Sequence, residues 1–168
     1  MMQFDSMPRA PFPTALGTCA VSWSETGLTG FELPDAPGLA DAAAQPPAAI
    51  AALIVRVQRH LTGELQDFAD VHYDLKRVPE FPREVYHATL AVKAGQTASY
   101  GDIAARLGYA PGMSRAVGTA LGANPWPLLV PCHRIVSADG KMTGFSGPGG
   151  VKTKLRLLAL EGAQLFAE

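Results

Sequence analysis

The chain has 168 residues, 48% of them hydrophobic and 17% charged, enough for one ordinary domain or two small docked ones with a sizeable buried core. It contains no stretch of eighteen uncharged apolar residues, the N-terminal M-M-Q-F-D-S-M-P lacks the basic start and apolar run of a signal peptide, and two cysteines are too few for a disulfide framework or a four-thiolate zinc site. The expectation is a cytoplasmic protein with two free thiols, no membrane partner, no metal and no cofactor. The net charge of −1 conceals an asymmetry: residues 1–94 hold seven Lys/Arg against eleven Asp/Glu, residues 95–168 seven against four, so an anionic partner belongs with the C-terminal part.

In chain order, residues 16–33, L-G-T-C-A-V-S-W-S-E-T-G-L-T-G-F-E-L, alternate apolar with small or polar residues around turn signals at Thr26-Gly27 and Gly30, which predicts strands. Residues 34–47 read as a linker. From Ala48, Ile50, Leu53, Ile54, Val57 and Leu61 recur at helical spacing before Gly63, which predicts one amphipathic helix. Residues 67–78 alternate loosely and read as strand or extended linker. An N-terminal α/β domain, 1–75, and a mainly helical domain, 76–168, follow; the fold class is α+β overall.

In the second half, Pro82 suits a first helical turn, Val85, Thr89 and Val92 mark a face, and Gly95 ends the helix. Tyr100 to Leu107 carries Ile103, Ala104 and Leu107 on one face, with Gly108 just past its end. The link 109–113 leads to a second short helix, 114–124, with Ser114 at or near its N-cap and small inward residues. Two short helices joined by a glycine-containing turn have the helix-turn-helix outline, although such pairs also serve as plain packing units. A last helix, 151–162, places Val151, Leu155 and Leu158 in line before Gly162.

Between these last helices, residues 129–147 read L-V-P-C-H-R-I-V-S-A-D-G-K-M-T-G-F-S-G, a buried run ending at Cys132, a tight hairpin at Asp139-Gly140 and a glycine-rich loop. A core cysteine needs no particular neighbours, whereas a nucleophilic one needs help to ionise at neutral pH. His133 and Arg134 are the adjacent candidates for that help.

At these residues the sequence resembles the DNA alkyltransferases that repair O6-alkylguanine, the methylated-DNA–protein-cysteine methyltransferases. The resemblance covers about residues 60 to 162: L-T-G-E-L, the V-Y position, S-Y-G-D-I-A, S-R-A-V-G, A-N-P, P-C-H-R, G-F-S-G and L-L-x-L-E-G occur in the family's order. Tyr86 stands where many relatives have tryptophan, and Phe145 where some have tyrosine. The link 109–113 and the loop 148–152 are slightly longer than the common pattern.

The resemblance implies single-use, direct-reversal repair, in which Cys132 takes an alkyl group from O6-alkylguanine, or O4-alkylthymine, in double-stranded DNA. It implies that His133 is the base acting through water, that Glu161 orients His133, and that Tyr100 donates a proton to the departing guanine. Ser146 and Gly147 would contact the guanine oxygen, the backbone carbonyls of Cys132 and Ile135 would face its amino group, and Lys154 would lie near the site. Arg115 would enter the base stack as the target base is turned out, Ala116, Gly118 and Thr119 would let that helix approach the minor groove, and Asn124 would tie the following turn to the cysteine segment. A monomer suffices for this chemistry. The alternative is a protein that binds or senses alkyl lesions in DNA without repairing them.

Overall fold

The computed structural model describes residues 8–34, 44–137 and 150–163. Three antiparallel strands come first, β1 (Arg9–Thr14), β2 (Gly17–Ser24) and β3 (Gly27–Glu32), in the spatial order β1-β2-β3. Then follow α1 (Ala48–His60), α2 (Glu80–Leu90), β4 (Ala98–Ser99), α3 (Tyr100–Arg106), α4 (Ser114–Gly122), β5 (Ile135–Val136) and α5 (Gly150–Leu160). Helices and a small sheet make the fold α+β, as the sequence predicts.

The first strand was absent from the sequence expectation because Pro11 and Pro13 break the alternating pattern. Both fit, because β1 pairs only with β2, and prolines two apart direct their missing donors to the same side, away from that partner. Ala10 and Phe12, on the opposite parity, are buried. Gly30 is not a turn but a strand residue: a Cβ there would lie 2.9 Å from Ser22 Oγ, beside the register shift at Ser22 and Trp23. The turn itself falls at Glu25-Thr26, and Asp74 ties it down by accepting from Ser24 Oγ at 2.6 Å and Thr26 Oγ1 at 2.7 Å. Segment 67–78 is irregular, with turns closed by Val71 N–H to Phe68 O and Val78 N–H to Leu75 O, and makes one isolated parallel bridge between Leu28 and Tyr73.

The helices follow their predicted faces with two exceptions. α2 ends at Leu90, so Val92 is buried beyond the helix rather than on it. On α5 the inward residues are Lys154, Leu157 and Leu158, while Val151 and Leu155 are 39% and 37% exposed. The apolar pattern missed this face because charged side chains occupy two of its inward positions, Lys154 and, one step past the helix, Glu161. α3 starts with a reciprocal cap, in which Ser99 Oγ accepts from Asp102 N–H and the Asp102 carboxylate accepts from Ser99 N–H, each at 2.9 Å. Ser114 is the first residue of α4, with Met113 as its N-cap.

One apolar core runs through both halves of the chain, from Phe12, Val21 and Leu28 through Leu53 and Val57 to Val85, Ile103, Val117, Trp126 and Leu157. The two halves are also stitched by hydrogen bonds: Phe31 N–H donates to Pro125 O, and the Trp126 indole Nε1 to Leu28 O. Among the described residues no helix is long and apolar enough to cross a membrane.

At Gly27 the backbone lies at φ +134° and a Cβ would sit 2.6 Å from the His72 carbonyl oxygen. Gly27→Ala should therefore cost about 3 kcal/mol of stability, from strain plus displacement of the 72–74 segment, read as a lowered urea midpoint with an unchanged slope.

Candidate active site

The cysteine segment is set by its prolines and by burial. Leu128, Leu129 and Val130 are buried, and Leu128 holds φ at +81°, a conformation that a branched side chain adopts only when its surroundings dictate it. Pro131, at φ −82° and ψ 67°, closes an inverse γ-turn in which Cys132 N–H donates to Val130 O at 2.7 Å. Cys132–Arg134 then forms a single 3-10 turn that leads into β5. Cys132 is half-buried and its two successors are buried.

Asn124 braces this turn from the end of α4. Its Nδ2 donates to Val130 O at 2.9 Å and its Oδ1 accepts from Trp126 N–H at 2.9 Å. Burial pushes the Cys132 thiol above its ordinary range, and the Asn124 side chain, the Lys154 charge and the backbone amides of Cys132 and His133 pull it back only in part. The resting sulfur is therefore a thiol that must lose a proton before it can react.

Behind the turn lies a buried charge cluster centred on Glu161. Its Oε1 accepts from His133 Nε2 and from Arg134 Nε, both at 2.9 Å, and its Oε2 accepts from Arg134 Nη2 at 2.8 Å. A fourth contact, His60 Nε2 to Oε2 at 2.9 Å, arrives from the C-terminal end of α1. Arg134 Nη1 donates to Val92 O at 2.7 Å, just beyond the end of α2. Burial alone would push the Glu161 carboxyl up, but the hydrogen bonds from Arg134, His133 and His60 together outweigh it and hold the group well below the usual carboxylate range. Burial lowers His133 despite the Glu161 carboxylate, so its imidazole is neutral at pH 7. With Nε2 donating to Glu161, the lone pair is on Nδ1, which is buried and makes no hydrogen bond among the described residues.

The other predicted residues fall into two groups. β4 and β5 pair in parallel, Ala98 with Ile135 and Ser99 with Val136, which brings the start of α3, and so Tyr100, beside the cysteine turn. The Tyr100 ring lies over Gly118, where a Cβ would come within 3.7 Å of its edge. Lys154 is buried and its Nζ donates to Ile135 O at 2.9 Å, so the Ile135 carbonyl is engaged by a lysine within the fold. Arg115 and Thr119 are exposed on α4 with Ala116 and Gly118 half-buried between them. These α4 residues form a surface rather than part of the buried cluster. Ser146 and Gly147, with the hairpin at Asp139-Gly140 and Phe145, lie outside the described residues.

Two participants carry roles that the sequence reading did not give them. Arg134, a candidate helper of the thiol, turns away from it to clamp Glu161. His60 has no role in the sequence reading, although its place on the inward stripe after Leu53 and Val57 is a usable signal.

A half-buried cysteine followed by a buried neutral imidazole, itself hydrogen-bonded to a buried carboxylate, is the arrangement that nucleophilic cysteine chemistry calls for. The family model for the DNA-binding domain of 6-O-methylguanine DNA methyltransferase matches residues 80–163. A methylated-DNA–protein-cysteine methyltransferase of Mycolicibacterium paratuberculosis is 46% identical over 68% of this chain and 67% of its own length. That of Mycobacterium tuberculosis is 43% identical over 73% and 71%. The crystal structure of Mycobacterium tuberculosis OGT in complex with DNA superposes with a TM-score of 0.78 at 35% identity, covering 92% of both chains. An O6-methylguanine-DNA methyltransferase structure from Pyrococcus kodakaraensis gives 0.68 at 25% identity, covering 94% and 99%. The chain belongs to the methylated-DNA–protein-cysteine methyltransferase family, the direct-reversal repair proteins that move an alkyl group from DNA onto a cysteine of their own.

The cluster contributes to the pH dependence of stability. His133 and Glu161 both hold folded values below their unfolded ones, so each stabilises the fold above its unfolded pKa and loses that contribution as pH falls. Urea-unfolding stability should decline below about pH 6.5 as the unfolded chain protonates the histidine, and again below about pH 4.3 for the carboxylate. Glu161→Gln should shrink the lower step, to which Asp67 and Asp74, also held below their ordinary range, still contribute, and should cost about 3 kcal/mol at pH 7 by leaving the Arg134 charge buried and unpaired.

Proposed function

We propose that Cys132 is the single-use acceptor for an alkyl group carried on O6 of guanine in duplex DNA, with His133 as its base. The observation that carries this reading is the direction of the His133 imidazole, whose Nε2 is pinned on Glu161 and whose Nδ1 has no partner among the described residues, one residue from a thiol that burial keeps protonated.

The thiol proton passes through a bridging water to His133 Nδ1, and the resulting imidazolium is held by the Glu161 carboxylate. The thiolate attacks the alkyl carbon, the sulfur–carbon bond forms as the carbon–O6 bond breaks, and guanine leaves with the bonding pair. Tyr100 supplies the proton that guanine takes up and is recharged from His133, so the net change moves the thiol proton to guanine and the alkyl group to sulfur. The product is a thioether with no ready leaving group, and the chain is spent.

O6 is stacked inside a duplex, so the base must be turned out first, at a cost of a few kcal/mol. In this reading α3 and α4 are a helix-turn-helix, α4 lies in the minor groove with Ala116, Gly118 and Thr119 against the backbone, and Arg115 fills the vacated stack. Lys154 holds the Ile135 carbonyl, Asn124 holds the turn, and Ser146 and Gly147 belong to the loop that receives the base. The division near residue 75 is one of roles: the first part supports, the second engages DNA and reacts. One chain is sufficient.

With excess duplex carrying a labelled O6-methylguanine, the protein should gain one methyl and stop, on Cys132 and not on Cys19, whose thiol is buried against Thr14 and pushed up to about 11. Cys132→Ser should bind the duplex without taking up label. Repeated turnover, or label on Cys19, would overturn the assignment. Arg115→Ala should slow transfer from duplex DNA at least tenfold more than transfer from the free modified base, which needs no flipping; equal loss on both would remove Arg115 from the stack.

A further inference from the structure

The fourth contact on Glu161 comes from the part of the chain that the DNA chemistry does not otherwise use. His60 is fully buried at the end of α1, its ring against Phe68, and is 101 residues from Glu161 in sequence. Its protonation is legible from its two partners. Gln66 N–H donates to His60 Nδ1 at 2.9 Å, and a backbone amide can only donate, so Nδ1 carries the lone pair. The ring proton is therefore on Nε2, pointing at Glu161 Oε2. A carboxylate offers about four acceptor positions, and with Arg134 Nε, Arg134 Nη2, His133 Nε2 and His60 Nε2 all four are filled.

We infer that His60 is a positioning residue for the alkyl transfer, acting through Glu161 to hold the carboxylate's direction and to set how strongly it attracts a proton onto His133. The inference rests on His133 being the base. The groups facing this cluster are Arg134 from the same turn, Glu161 from the end of α5, His60 from α1, and on the thiol side Cys132 with Lys154 from α5. Of these, Arg134 and His60 are the two that draw on the Glu161 charge in competition with His133. Every donor they supply spreads that charge and weakens its pull on an imidazolium. Removing the His60 donor concentrates the charge on Oε2 and Oε1, so His133 becomes more basic. It then stays protonated, and unable to take the thiol proton, up to a higher pH. The N-terminal half of the chain thereby tunes His133 through a shared carboxylate.

The test is the first-order rate of methyl transfer at saturating duplex carrying one O6-methylguanine, followed against pH in the full chain. His60→Leu keeps bulk and removes the donor, and should move the acid limb upward by roughly half a pH unit or more, with DNA affinity unchanged. His60→Gln places an amide N–H near the position of Nε2 and should return the limb to within a fraction of that shift. A His60→Leu limb that coincides with wild type overturns the inference, as does a limb that moves equally in both variants. Glu161→Gln, run in parallel, separates the two levels: if it leaves the rate unchanged, the base assignment itself fails, whereas a slowed Glu161→Gln beside an unshifted His60→Leu sinks only the role of His60. Should His60→Leu not fold, nitrogen-15 shifts of the imidazoles in the wild-type chain decide the matter: a neutral Nε2–H tautomer at His60 is required, and an Nδ1–H tautomer overturns it.

Discussion

Everything around the reactive cysteine depends on one buried carboxylate. Glu161 is buried with its charge intact, a state that is prohibitively costly for an isolated ion and tolerable only when paired and fully hydrogen-bonded. The partners that make it tolerable are also the groups that have to be placed. The Arg134 guanidinium grips it side-on and reaches on to Val92 O, the His133 ring is turned by it, and α1, the 3-10 turn and α5 all terminate on it. A site that needed only a nucleophile and a base would not require this arrangement. The mechanism proposed above, in which His133 holds a single tautomer while the thiol beside it changes charge, does.

The cluster also explains why so much desolvation beside the sulfur is compatible with reactivity. Burial raises the thiol and lowers the imidazole, so the resting pair is neutral on both sides and asks little of its apolar surroundings. In the proposed mechanism ion formation is delayed until the proton moves, and the positive partner then forms against a carboxylate already held in place. Fixed dipoles and charges that need not reorganise are worth more in such a setting than in water.

How much of this the sequence discloses depends on the range of the interaction. Cys132, His133 and the short helices on either side are local patterns, and they emerge from spacing and from the resemblance that P-C-H-R carries. The strand β1 is hidden because Pro11 and Pro13 read as breakers to any rule that does not know the strand is an edge. The inward face of α5 is hidden because Lys154 and Glu161 stand at core positions, and hydropathy assigns charged residues to the surface. The contacts of Glu161 with Arg134 and His60 span 27 and 101 residues, and no local pattern encodes a pairing that only the folded chain creates. The 138–149 stretch, with Ser146 and Gly147, lies outside the described residues, so those expectations stand on resemblance alone.

The two prolines of β1 bear on how the molecule keeps company with others of its kind. A three-stranded sheet has two open rims, and an open rim of backbone donors and acceptors is a template on which a foreign strand can grow. Here the outer rim lacks donors at Pro11 and Pro13, while the carbonyls of Arg9 and Pro13 are taken by Ala44 N–H and Gln58 Nε2. On the far rim, Leu28 N–H and O are spoken for by His72 and Asp74, and Phe31 N–H by Pro125. Edge-to-edge stacking of the sheet therefore finds few unmet backbone groups on either side. The residues that obscured the strand from view are the same ones that make it poor seed material for aggregation.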